Sequence, residues 1–168
     1  MQSDAPCFEL ENSLDLLRKA QHDFAQLDRE VNSYDLFNFL CTVNHLADWA
    51  ERERGLPRGF KHHVARLRKK LEIRTIAALC NRAKHFERRK DSPSPSTKVA
   101  RVWSAGRYGK GPWGVGEPTY EVEVEGVMKD LLGFARSVLD EWEDVFKRHG
   151  LIPTSSQEHP AGPGSTSS

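Results

Sequence analysis

Leu36-Phe37-Asn38-Phe39-Leu40-Cys41-Thr42-Val43-Asn44-His45-Leu46-Ala47-Asp48-Trp49-Ala50 carries Leu36, Leu40, Val43, Ala47 and Ala50 at steps of three and four, the spacing that lines one face of an α-helix. Ser33 is placed to cap this helix, and Gly55 with Pro57 stops it. Upstream, Leu10, Leu14, Leu17, Phe24, Leu27 and Val31 repeat at the same steps, with Ser13 or Asn12 as cap. Only Asn32-Ser33 separates the two patterns. A turn that short makes the helices antiparallel neighbours, so the chain is expected to be mainly α, an up-and-down four-helix bundle.

Working outward, Phe60, Val64, Leu67 and Leu71 form a thin apolar stripe among Lys61, Arg66, Arg68, Lys69 and Lys70, which reads as a short basic helix. It leads into a helix carrying Arg74 to Arg89, ended by Asp91-Ser92-Pro93-Ser94-Pro95-Ser96. The period then changes. Val99, Val102 and Trp103 are strand-like, and Tyr120, Val122 and Val124 alternate with Glu121 and Glu123, so a β-hairpin is expected over about 97–125.

Gly109-Lys110-Gly111-Pro112-Trp113-Gly114 between those strands matches G-x-G-x-x-G. It leads into a strand instead of opening a helix, so it lacks the helix N-terminus that would receive phosphates. It reads as a hairpin loop with Arg107, Tyr108, Lys110 and Trp113 available for contacts. Val127, Leu131, Phe134, Val138, Trp142 and Val145 then predict a last helix with Gly150 at its C-cap. Residues 1–152 are expected to form one domain with the hairpin inserted before the last helix, and 153–168, rich in Ser, Pro, Gly and Thr, to be disordered.

A formal net charge of +1 on 168 residues hides an asymmetry. From Glu51 to Lys90 there are fourteen Lys and Arg against four Glu, whereas Glu117 to Asp144 is mainly acidic. A basic segment of that density favours an anionic partner, RNA or another phosphate-bearing ligand, with an acidic protein as the competing occupant. Cys7, Cys41 and Cys80 stand in no CxxC spacing and read as reduced thiols. With no apolar run near the ~18 residues of a membrane span and no apolar leader, a cytoplasmic protein with no membrane partner is expected.

Two polar clusters lie within the helical patterns. Arg74, Asn81 and His85 fall along one line of their helix beside the apolar face, and Cys41, His45, Asp48 and Arg52 share a stripe on the earlier one. Packed antiparallel, these helices are expected to bring His45 and His85 face to face. Metal-free RNA cleavage needs a group titrating near neutrality to take the 2′-hydroxyl proton and a cation for the charge developing on phosphate. His85 or His45 fits the first role and Lys84 or Arg74 the second, with Asn81 beside them, and Arg74, Asp48, Lys69 and Lys70 as binding residues. His45, Asp48 and His85 are also the types of a two-His-one-carboxylate site, but no H-x-x-x-H or E-x-x-H accompanies them, and no metal or cofactor is expected. The same groups can instead hydrogen-bond across a helix interface and fix its register.

The layout, with Asn81 and His85 separated by three positions on the third long helix, resembles the HEPN superfamily of helical domains over about Leu14 to Leu151. The spacing of Asn81, Lys84 and His85 is also similar to that in a group of small bacterial proteins. The HEPN resemblance implies a metal-independent endoribonuclease site where this helix meets its dimer mate, hence a homodimer, and a bacterial defence or toxin–antitoxin setting. The family's arginine, with four to six residues between it and the histidine, would fall at Cys80, Leu79 or Ala78, so this chain departs from the motif there. Arg and Lys are not equivalent at a scissile phosphate, because only Arg presents a planar fork. RNA or phosphate binding is therefore the leading expectation, an endoribonuclease of altered motif the second, and a protein-interaction bundle the third.

Overall fold

In the computed structural model, the described residues are 10–84, 97–100 and 119–153. They form α1 (Ser13–Arg29), α2 (Ser33–Arg52), α3 (Phe60–Leu67), α4 (Leu71–Lys84), β1 (Thr97–Ala100), β2 (Thr119–Val124), β3 (Val127–Asp130) and α5 (Leu131–Arg148). The mainly helical bundle with an antiparallel hairpin inserted before the last helix is what the structure shows. Four expectations fall outside the described residues: the helix from His85 to Arg89, the strand residues Val102 and Trp103, the loop carrying Arg107 to Trp113, and the tail from Thr154.

Both opening helices start on asparagine. Asn12 accepts from the Asp15 amide at 3.0 Å, and Asn32 from the Tyr34 and Asp35 amides at 3.0 and 2.9 Å. The expected Ser33 cap is thus corrected by one position: the Asn32 carboxamide satisfies two first-turn donors and Ser33 becomes the first helical residue. The Glu53 carboxylate at the end of α2 accepts from the Ser13 amide at the start of α1 at 2.7 Å, as antiparallel packing requires. Inside this pair lies a buried polar link: the Thr42 hydroxyl donates to Asp23 at 2.6 Å and accepts from Lys19 at 2.7 Å. Its satisfied geometry fixes the register of α1 against α2, since a shift would strand a buried carboxylate.

α5 buries Leu131, Phe134, Ala135, Val138, Leu139, Trp142, Val145 and Phe146, a full apolar face. Trp142 is the largest fully buried side chain, a position where truncation to Ala typically costs roughly 3–5 kcal/mol. The helix starts later than its periodicity suggests. Val127 belongs to a third strand, and Asp130 caps α5 by accepting from the Gly133 amide at 2.7 Å. Glu125 and Gly126 both have positive φ, 48° and 79°, the sign a two-residue type I′ hairpin turn needs. The sheet is therefore antiparallel in the order β1-β2-β3, with Val122 opposite both Thr97 and Lys129. Val122 and Val124 are buried, as their alternation predicts.

α3 and α4 are separate helices. Arg68, Lys69 and Lys70 form the turn between them, their amides donating to Val64, Arg66 and Leu67 carbonyls. At the far end of α5, the Leu151 amide donates to the Phe146 carbonyl and the Gly150 amide to the Lys147 carbonyl, both at 3.0 Å. With Gly150 at φ 67° this is a Schellman termination, and it sets His149 at the C-cap.

Candidate nucleic-acid interface

Of the expected cluster, α2 carries His45 and Asp48, and α4 carries Arg74 and Asn81. α4 leaves the C-terminal half of α2, where Arg68 pairs with Glu51 at 2.6 Å and Asp48 at 3.4 Å, and reaches Cys41 with Cys80, sulfur to sulfur 3.3 Å. Residues 81–84 therefore head toward the N-terminal half of α2. His45 and Asn81 lie on opposite sides of the thiol contact, offset along the helix axes by roughly 7 Å for five residues of rise. Both are exposed, as is Arg74. The Lys84 side chain and all of His85 lie outside the described residues. Asp48 is half-buried and engaged with Arg68, and Lys70 is held by Glu141. Lys69 is exposed, and neither it nor Arg74 forms an ion pair among the described residues. No group of three or more His, Cys, Asp or Glu among the described residues converges to hold a metal.

A second constellation lies where α3 meets the end of α5. Phe60, Val64 and Leu67 point into the core, which leaves Lys61, His62 and Arg66 on the exposed arc and His63 at its edge. Phe60 packs edge-on against both Phe146 and His149, with centroids 5.1 and 5.3 Å apart. Gly59 turns the chain into α3 at a φ of 84°, which suits glycine, while a Cβ there would make only ordinary contact with His149 Cε1 at 3.7 Å. The result is an imidazole pair, His63 Nδ1 to His149 Nε2 at 2.7 Å, drawn from positions 86 residues apart. A contact of that length carries one proton between two nitrogens, so one ring donates and the other accepts.

The electrostatics of this end are one-sided. The His63 pKa is lowered from its ordinary 6.5, by desolvation first and then by the positive fields of His149, Arg148, Arg66 and His62. Every charged group that shifts it is basic. Arg58, Lys61, Arg66 and Arg148 are exposed and form no ion pair among the described residues. No side chain caps the start of α3 either, so its first-turn amides add to the positive character. Elsewhere along α5 the balance is different. Burial alone would raise the Glu143 carboxyl, but hydrogen bonds from Gln21 and Lys147 and the charges of Lys147 and Arg136 hold it below its usual value.

The sequence marked Lys61 and Arg66 as basic and overlooked His62, His63, Arg148 and His149. The His62-His63 doublet on a basic helix was a usable signal, whereas nothing local links His63 to a C-cap near the end of the domain. No helix among the described residues is long and apolar enough to cross a membrane. Comparisons with family models, curated proteins and solved structures find no match.

Proposed function

We propose that this chain binds the phosphate backbone of single-stranded RNA, and that the contact surface is the α3–α5 end formed by Arg58, Lys61, His62, Arg66, Arg148 and the His63–His149 pair. The observation that carries the reading is the uncompensated charge there: exposed cations and neighbouring imidazoles whose fields lower the His63 pKa, with no carboxylate among the groups acting on it. An isolated protein gains nothing from such a grouping, whereas a phosphate backbone relieves its repulsion and releases counterions. Backbone contacts of this kind position a strand without reading its sequence, so broad sequence tolerance is part of the proposal. The HEPN resemblance supports RNA as the polyanion, and with it a homodimer and a bacterial defence or toxin–antitoxin role.

The test is a titration of a fluorescently labelled single strand at several salt concentrations. With three to five cations engaged, the logarithm of affinity should fall with the logarithm of salt at a slope of roughly −2 to −3.5. Absence of binding at low salt sinks the proposal and leaves an acidic protein as the occupant. Strand scission in the same assay, abolished in His85→Ala while binding persists, would extend the function to a metal-independent endoribonuclease.

A further inference from the structure

Cys41 and Cys80 are separated by 39 positions in sequence, yet their sulfurs lie 3.3 Å apart between α2 and α4. The two thiols differ in access: Cys80 is fully buried, whereas Cys41 is half-buried on the stripe that also carries His45. We propose that this pair is an oxidative modification site, at which a peroxide converts the dithiol to an internal disulfide that clasps α2 to α4. The proposal is independent of RNA binding.

The chemistry balances in two steps. The Cys41 thiolate attacks one peroxide oxygen, the O–O bond breaks, and Cys41 becomes a sulfenic acid as hydroxide, then water, leaves. Cys80 then attacks the Cys41 sulfur, the S–O bond breaks, and a second water departs with the Cys80 proton. Overall, two thiols lose two electrons and two protons to one hydroperoxide. Access orders the steps, because only the half-buried thiol meets the oxidant and its buried neighbour is in place to resolve it. Closing 3.3 Å to the ~2.05 Å of a disulfide requires about 1.3 Å of approach.

Cys7 lies outside the described residues, so the test uses the full chain with Cys7→Ser. Treatment with one equivalent of hydrogen peroxide should remove both titratable thiols, lower the intact mass by two hydrogens, and give a peptide joining Cys41 to Cys80 that dithiothreitol releases. Because the closed loop constrains the unfolded chain, the melting temperature should rise by about 5–10 °C in the oxidised form. Adding Cys80→Ser should stop the reaction at a Cys41 sulfenic acid that dimedone traps, and adding Cys41→Ser should leave Cys80 unreacted. Over-oxidation of Cys41 with the Cys80 thiol intact, a disulfide between two chains, or an unchanged melting temperature would each overturn the proposal.

Discussion

The α2–α4 stripe and the α3–α5 end are built from the same residue types, imidazoles beside Lys and Arg, and differ in what surrounds the charge. On the first side, Arg68 leans on Asp48 and Glu51, and Lys70 on Glu141. On the second, Lys61, Arg66 and Arg148 face solvent, and the groups acting on His63 are all basic. These cations thus divide into a neutralised set, Arg68 and Lys70, and an uncompensated set that Lys61, Arg66 and Arg148 concentrate at the α3–α5 end and to which Lys69 and Arg74 also belong. Binding strength should follow the second set alone, because a paired cation must give up its carboxylate before it serves a phosphate.

The sharpest way to break this contrast is charge reversal on each side. Lys61→Glu with Arg66→Glu should weaken RNA binding by roughly 10²- to 10⁴-fold, at roughly 1.5–3 kcal/mol for each of two charge-assisted hydrogen bonds to phosphate removed, and flatten the salt slope by about 1.4. Lys70→Glu, at a cation already paired with Glu141, should change affinity by less than about threefold. Equal effects from both variants, measured by the same titration, would mean that the whole basic segment contributes as a diffuse field and the two regions are not distinct.

Acidification gives the next largest effect, with opposite signs for binding and for folding. A bound phosphate offsets the field that lowers the His63 pKa, so binding takes up a proton and affinity should rise as pH falls below about 6.5, by at most roughly tenfold per unit for one proton. Folding runs the other way. The native value lies below the unfolded one, so the unfolded chain binds more protons between them; the stability from neutral His63 is complete above about 6.5 and lost as pH falls through the lowered native value. His63→Gln should flatten both trends, read as affinity and as melting temperature between pH 7.5 and pH 5. A free protein whose melting temperature is unchanged across that range would show that the imidazole pair places no constraint on His63.

What the chain reveals before it folds follows the range of the interactions involved. The core of α5 was legible because Leu131 to Val145 repeats at helical steps, and the α1–α2 hairpin because its turn is too short for any other path. β3 was hidden by an accident of spacing: Val127 stands four residues before Leu131 and so continues the helical pattern, while the Glu125-Gly126 turn that ends the hairpin carries no Asn or Asp to announce it. Of the two stripes, His45, Arg74 and Asn81 are exposed as their spacing implies, but the register between α2 and α4 depends on where Cys80 meets Cys41. The imidazole pair was not legible at all, since it needs Gly59, Phe60 and the Gly150 termination to bring distant positions together.

The smallest expected effect is the one that most directly probes the neutralised side. Arg68 Nη1 lies 2.6 Å from Glu51 and 3.4 Å from Asp48, with about two fifths of each side chain exposed. Pairs in that environment lose most of their attraction to solvent screening, and Arg68 also gives up side-chain entropy to hold the geometry. Arg68→Ala should therefore cost less than about 1 kcal/mol, a drop in melting temperature of no more than roughly 2–4 °C, and the difference should shrink in about 0.5 M salt. Its effect on RNA affinity should stay within about threefold and come from leaving Asp48 and Glu51 uncompensated near the strand, not from removing a cation that grips phosphate. The salt slope separates these origins: removing one phosphate-bound cation lowers it by about 0.7, whereas two exposed carboxylates weaken binding with much less change. Weakening near that of the Lys61 and Arg66 reversal, with a flattened slope, would place Arg68 among the strand-binding cations and dissolve the distinction between the two regions.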